Sequence, residues 1–232
     1  MSLALDPVND LEPDTDAVRR LPDHVVAELS RRPLFIALEG GEGSGKSTQA
    51  RLLAERLGAL LTHEPGGTAL GRVVRSTVLH DLSGDDAPIP LAEALLMCAD
   101  RAQHVARVIV PALAEGRHVV TDRFAGSTIA YQGFGRGVDL TVLDHLSELA
   151  TAGLSPDLTI VLDVPDEVAR ARRARTADDV IEAAGEEFHA RVAAGFEHQS
   201  RTRPDWCVVD GVGEPEDIAE RVWSQVVTRL AP

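Results

Sequence analysis

Gly40-Gly41-Glu42-Gly43-Ser44-Gly45-Lys46-Ser47 fits the pattern G-x-x-x-x-G-K-[ST], and Thr48 follows it. In such a loop the glycines let backbone N–H groups converge on phosphate oxygens, the lysine reaches the terminal phosphates, and the serine hydroxyl meets Mg²⁺. Lys46 is the sole lysine of the chain; all the remaining cationic residues are arginine. The loop follows the apolar run LFIALE and opens the run KSTQARLLAERL, a strand-loop-helix context that aims a helix N-terminus at an anion. Residues 40–48 are therefore candidate ligands of a nucleoside triphosphate.

Three further groups could handle phosphate. Asp122-Arg123 stands at the end of another apolar run; a carboxylate there could hold Mg²⁺ or its water, and the guanidinium could clamp a phosphate bidentately. A strand-end salt bridge is the plainer alternative. On a long helical pattern, Met97, Arg101 and His104 share a face adjacent to the apolar stripe of Leu91, Leu95, Cys98, Ala102, Val105 and Ile109. Arg101 could lean into a cleft, or pair with Asp100 or Glu93. Arg170, Arg172, Arg173 and Arg175 crowd a short segment after the run ending at Asp163. They suit a basic lid that stabilises charge in phosphoryl transfer, or a solvated helix face balanced by Asp166, Glu167, Asp178 and Asp179.

Positioning these groups takes an alternation of short apolar runs and helical patterns, which predicts an α/β fold with a parallel sheet covered by helices. The predicted strands are 34–38, 59–61, 118–121, 158–162 and 206–209. Helices are predicted over 46–57, 91–115, 141–152, 178–201 and 215–230, Gly116 capping the second. Residues 1–33 carry seven acids and four arginines and little periodic hydrophobicity, so they are expected to form an acidic, loosely docked extension. A short amphipathic helix over 16–31 is compatible with Val18, Leu21, Val25 and Leu29, but Pro22 allows it only as an N-terminal turn. The domain proper is expected over 34–232.

Composition excludes several classes. With 37 acidic against 23 basic residues the net charge is −14, which disfavours nonspecific binding to nucleic acid or anionic membrane. Any polyanion must then be received in a local basic pocket. Cys98 and Cys207 form neither a CxxC pair nor a framework, and the eight histidines lack metal-ligand spacing. No apolar run reaches the roughly 18 residues of a membrane span, and the first ten residues carry acid where a secretory signal needs base. The expectation is a cytoplasmic protein.

Taken in order, FIALEGGEGSGKST (35–48), EPGGT (64–68), ADRAQHV (99–105), DRFAGSTIAYQGFGRG (122–137) and PDLTIVLDVP (156–165) resemble the thymidylate kinase family of P-loop nucleoside monophosphate kinases. The resemblance spans about 34–230. It implies a P-loop NTPase three-layer sandwich with a five-stranded parallel sheet, a short lid near 168–179, and Mg²⁺-dependent transfer from ATP to dTMP, giving dTDP. It further implies that Lys46 and the lid arginines Arg173 and Arg175 stabilise the transferring phosphoryl group, and that Ser47 and Asp122 organise the metal. Arg123 would hold the dTMP phosphate, Arg101 would lie near base and phosphate, and Glu42 near the 3′-hydroxyl. Thr128 and Tyr131 would read thymine and crowd the 2′ position, with Ser127, Gln132 and Arg136 close by. A homodimer packed through helices beside the acceptor site is implied as well. Because the phosphate loop has no arginine and the lid has several, the bacterial variant fits.

Three positions depart from the family pattern. Met97 replaces an aromatic residue on which thymine stacks, Val180 replaces a customary arginine, and His63 replaces another. These departures suggest two alternatives: a related kinase for another or modified pyrimidine monophosphate, or a nucleotide-binding homologue without turnover.

Overall fold

β1, Phe35–Glu39, is buried along its whole length, and its side chains alternate between two helical layers. Ile36 and Leu38 join Leu53 of α1 (Lys46–Leu57) and Ile218, Val222, Trp223 and Val226 of α8 (Pro215–Leu230). Phe35 and Ala37 face the other way, onto Val105, Ile109 and Phe124. A strand covered on both faces reads as a continuous apolar run, which is why FIAL was legible as one.

The computed structural model describes residues 32–78, 84–173 and 185–230. In chain order the remaining elements are β2 (Leu60–His63), α2 (Ala69–Ser76), α3 (Pro90–His104), β3 (Val119–Asp122), α4 (Ala125–Thr128), α5 (Leu140–Thr151), β4 (Leu158–Asp163), α6 (Asp166–Arg173), α7 (Glu186–Thr202) and β5 (Trp206–Asp210). The five strands pair in the order β2-β3-β1-β4-β5, all parallel. This is the predicted α/β sheet, and each strand lies within two residues of its expected bounds. Leu38 of β1 is in register with Asp122 of β3, so the phosphate loop leaving β1 and the carboxylate ending β3 open onto the same edge.

The helices differ from expectation in four places. The long helix is continuous but not uniform: α3 passes through π-helical turns at Val105–Ile109 into Val110–Ala114. Pro111, which has no N–H for the preceding turn, follows those wide turns directly. Of the expected stripe, Cys98, Val105 and Ile109 are buried, but the first turns are rotated from it. Glu93, Ala94, Cys98, Asp100, Arg101 and His104 are inside, whereas Leu91 and Leu95 are 44% and 48% exposed. The inward face is polar because it lines a cleft. α2, capped by the Thr68 hydroxyl on the Gly71 N–H, was not anticipated, nor was α4 with its π-helical continuation Ile129–Gly135. Finally, Arg170, Arg172 and Arg173 belong to α6, and α7 begins at Glu186 rather than 178. The expected helix over 16–31, and the lid beyond Arg173, lie outside the described residues.

Candidate active site

β1 runs into a loop whose backbone excludes side chains. At Gly40, with φ +142°, a Cβ would come within 2.6 Å of the Leu162 carbonyl; at Gly43, with φ +78°, it would overlap the Ala169 carbonyl. Lys46 opens α1, is nearly fully buried, and donates from Nζ to the Gly41 carbonyl at 2.9 Å. Burial, together with the nearby Arg123 charge, lowers its pKa. The Ser47 hydroxyl donates to Asp122 Oδ2 at 2.5 Å. The other oxygen, Asp122 Oδ1, is buried with no hydrogen-bond partner among the described residues. Thr48 is exposed one residue further along α1.

Arg123 follows β3 with φ +75°, a left-handed conformation unusual for a side-chain-bearing residue. Its guanidinium pairs with Glu42, donates to Ser127 Oγ at 3.1 Å, and lies 4.9 Å above the Tyr131 ring. The Tyr131 hydroxyl donates to the same Glu42 oxygen at 3.0 Å. Burial would raise the Glu42 pKa, but Arg123 and Lys46 outweigh it and hold it down to about 2. Behind this group the wholly buried Glu39 accepts from the N–H groups of Phe124 and Ser127 and from the Ser127 hydroxyl at 2.6 Å. It thereby fixes the start of α4 on which Ser127 and Thr128 ride.

The opposite wall comes from α3 and the loop after β2. Arg101 donates to Glu64 at 2.8 Å, to Thr128 Oγ1 at 3.0 Å and to the Phe124 carbonyl at 3.0 Å. Glu64 also lies 2.8 Å from His104 Nδ1, whose other nitrogen is 2.6 Å from Thr62 Oγ1. Asp100 Oδ1 reaches the Gly66 N–H at 3.4 Å, while Oδ2 is buried without a hydrogen-bond partner among the described residues. Burial and the Glu64 charge push Asp100 up to about 6. Gln132 donates its amide to Glu93 at 2.8 Å, and Arg136 reaches the other Glu93 oxygen at 3.3 Å.

Together these residues enclose a cleft of about 490 Å³. Lys46, Ser47 and Asp122 line it together with Glu42, Arg123, Met97, Arg101, Ser127, Thr128, Tyr131 and Gln132. His63 lines the same cleft, its pKa lowered first by burial and then by Arg75. The described members of the arginine cluster divide between the phosphate loop and the surface. Arg172 donates to the carbonyls of Gly43, Ser44 and Gly211, and Arg173 to that of Glu42, so both grip the phosphate loop by its backbone. Arg170 forms an exposed pair with Glu186. Arg175 and Val180 lie outside the described residues.

The family profile described as thymidylate kinase matches residues 38–222. The chain belongs to the thymidylate kinase family. A thymidylate kinase of Synechococcus sp. (strain JA-2-3B'a(2-13)) is 51% identical over 203 residues, covering 85% of this chain and 96% of the relative. One from Prochlorococcus marinus (strain MIT 9313) is 47% identical over 208 residues, covering 85% and 95%. The crystal structure of thymidylate kinase from Ehrlichia chaffeensis superposes with a TM-score of 0.70 at 32% identity, covering 84% of this chain and 99% of that one. The chain is thus a nucleoside monophosphate kinase, a phosphotransferase. Sequence reasoning missed Glu39 and Glu64 as residues of this kinase that hold others in place, and gave Glu93 and Arg172 other partners: Arg101 for the one, and a lid or a solvated face for the other. Glu39 had a visible signal, an acid closing a fully apolar strand. The others are joined to their partners only by the fold.

Proposed function

We propose that the chain transfers the terminal phosphoryl group of ATP to dTMP, giving dTDP, in the cleft between the phosphate loop and α3. The observation that carries this reading is that one cleft is lined both by Lys46, Ser47 and Asp122 and by Arg101 and Arg123. Phosphoryl transfer needs little covalent help from protein; positioning and charge neutralisation supply most of the acceleration. The loop N–H groups and Lys46 would hold the donor phosphates, and Arg123, already desolvated, would take the acceptor phosphate in place of Glu42. Glu42, released from Arg123 but still bonded to Tyr131, would then be free to orient the deoxyribose. Arg101 and Thr128 would face the base, and Met97 would cover it. Arg173, and Arg175 beyond it, would add positive charge beside the donor phosphates.

Mg²⁺ suits the two oxygens at the loop mouth. A hydroxyl and an unpartnered carboxylate oxygen are hard donors, and among the described residues no group of three His, Cys, Asp or Glu could form a cage. Such a pair matches an ion that takes one or two protein oxygens and completes its shell with water and phosphate. When bound there, the ion would neutralise charge on the β- and γ-phosphates. The relatives give no support to a different pyrimidine acceptor. No described helix is long and apolar enough to cross a membrane.

The proposed catalytic unit is 34–232, with 1–33 as an appendage. It would pair with a second copy through α2 and α3, whose exposed Leu70, Val73, Leu91 and Leu95 suit such a face. The test of function is ADP formation by the purified chain with ATP, Mg²⁺ and, separately, dTMP, dUMP, UMP, dCMP and CMP. Preference for dTMP is expected; turnover with none of them, or best with another, removes the reading.

A further inference from the structure

Glu93 stands behind the acceptor cleft, on α3, and is only 4% exposed. Both of its oxygens are engaged: Oε1 accepts the Gln132 amide N–H at 2.8 Å, and Oε2 faces the Arg136 guanidinium at 3.3 Å. Arg136 is itself steadied by the Phe188 ring, 4.9 Å from its guanidinium carbon. Gln132, 2% exposed, lines the cleft from the π-helical turns Ile129–Gly135. A carboxylate offers lone pairs alone, so the carboxamide can meet it only through its NH₂ group; the reverse orientation would set two oxygens against each other. The carboxamide oxygen is then turned away from Glu93, on a side chain that lines the cleft.

We propose that Glu93 is a specificity-determining positioning residue: it locks the Gln132 carboxamide with its oxygen toward the acceptor base, so that the site admits pyrimidines bearing an N3–H. Thymine and uracil carry that donor between two carbonyls. Cytosine presents a lone pair at N3, which a fixed carbonyl oxygen repels, leaving a buried polar atom without a partner. Glu93 acts here through Gln132 and touches no substrate. The inference rests on the dTMP reading above and names how that site discriminates.

The decisive variant is Glu93→Gln, which keeps volume and burial but lets the Gln132 amide take either orientation. The kcat/KM ratio of dTMP over dCMP is expected to fall about tenfold or more, carried by KM rather than kcat. The ratio of dTMP over dUMP should stay within about twofold, because both bases carry the N3–H; general loosening of the site would move both ratios. The exchange Glu93→Gln with Gln132→Glu returns a fixed oxygen to the cleft and should restore the preference for dTMP over dCMP. Gln132→Leu, which removes the oxygen while leaving Glu93 intact, should lose that preference even if Glu93→Gln fails to fold. An unchanged dTMP-to-dCMP ratio in a folded Glu93→Gln or Gln132→Leu protein overturns the proposal while leaving the dTMP reading standing. A folded exchange variant that fails to recover the preference does the same. A wild-type chain that does not use dTMP overturns both.

Discussion

At the scale of single residues, buried charges are the groups whose removal can be read most clearly. Lys46 donates to a carbonyl, and Glu42, which its charge helps to keep ionised, retains its pair with Arg123, so Lys46→Ala leaves no opposing charge without a partner. It should lower turnover by roughly 10²–10³-fold or more while the protein still unfolds cooperatively near the wild-type temperature; near-normal turnover would undo the phosphate-loop assignment. Asp100 gives a prediction of opposite character. Its folded pKa, about 6, lies above the usual 3.8, so the native state binds its proton more tightly than the unfolded chain does. Stability is therefore lost as pH rises from about 4 to about 6, and the loss persists above that. Asp100→Asn escapes the loss and should gain about 1–3 kcal/mol at pH 8 and little at pH 4, measured by urea unfolding at both. A gain equal at the two pH values would refute the titration argument. Lys46, Ser47, Asp122 and Arg123 were legible because local sequence places them: a glycine-rich loop and a strand end. Arg101 was legible as a cleft residue, but its partner was not. Helical spacing offered Asp100 and Glu93, whereas the bond goes to Glu64, 37 positions away on another loop.

Elements transmit position, and α4 depends on a single small residue. A Cβ on Gly126 would overlap Trp206 of β5 and approach Glu39 Oε1 to 2.9 Å, so Gly126→Ala must push the start of α4 off its seat. The expected result is a loss of about 1–3 kcal/mol and a raised KM for dTMP, with the KM for ATP nearly unchanged. Equal effects on both substrates would show that α4 does not act on the acceptor end alone. The same dependence explains what the sequence hid. The three inner strands were readable because burial on both faces makes β1, β3 and β4 largely apolar runs. The burial direction of the first turns of α3 was not readable, because Leu91 and Leu95 lie outside while the inward face carries Asp100 together with Glu93, Arg101 and His104, which are paired with Gln132, Arg136 and Glu64. Apolar periodicity finds a dry core but misses a wet, paired one.

The whole molecule carries −14, yet its cleft gathers Lys46, Arg75, Arg101 and Arg123. Net charge therefore governs what the surface repels, and local arrangement governs what the cleft accepts. The outer sides of α2 and α3 give a prediction at this scale. Val73 is 62% exposed and Leu91 44%, so Val73→Asp with Leu91→Asp should turn a sedimenting dimer into a monomer without unfolding it. A wild-type chain that sediments as a monomer would dispose of the pairing outright. The grip of Arg172 and Arg173 on the carbonyls of Glu42, Gly43, Ser44 and Gly211 has a further consequence. Glycine-rich segments lose the most conformational freedom when ordered, and here that loss is met during folding, by guanidinium groups on α6. An incoming triphosphate finds a mould already set, and its binding energy is left for holding the phosphates rather than shaping what holds them.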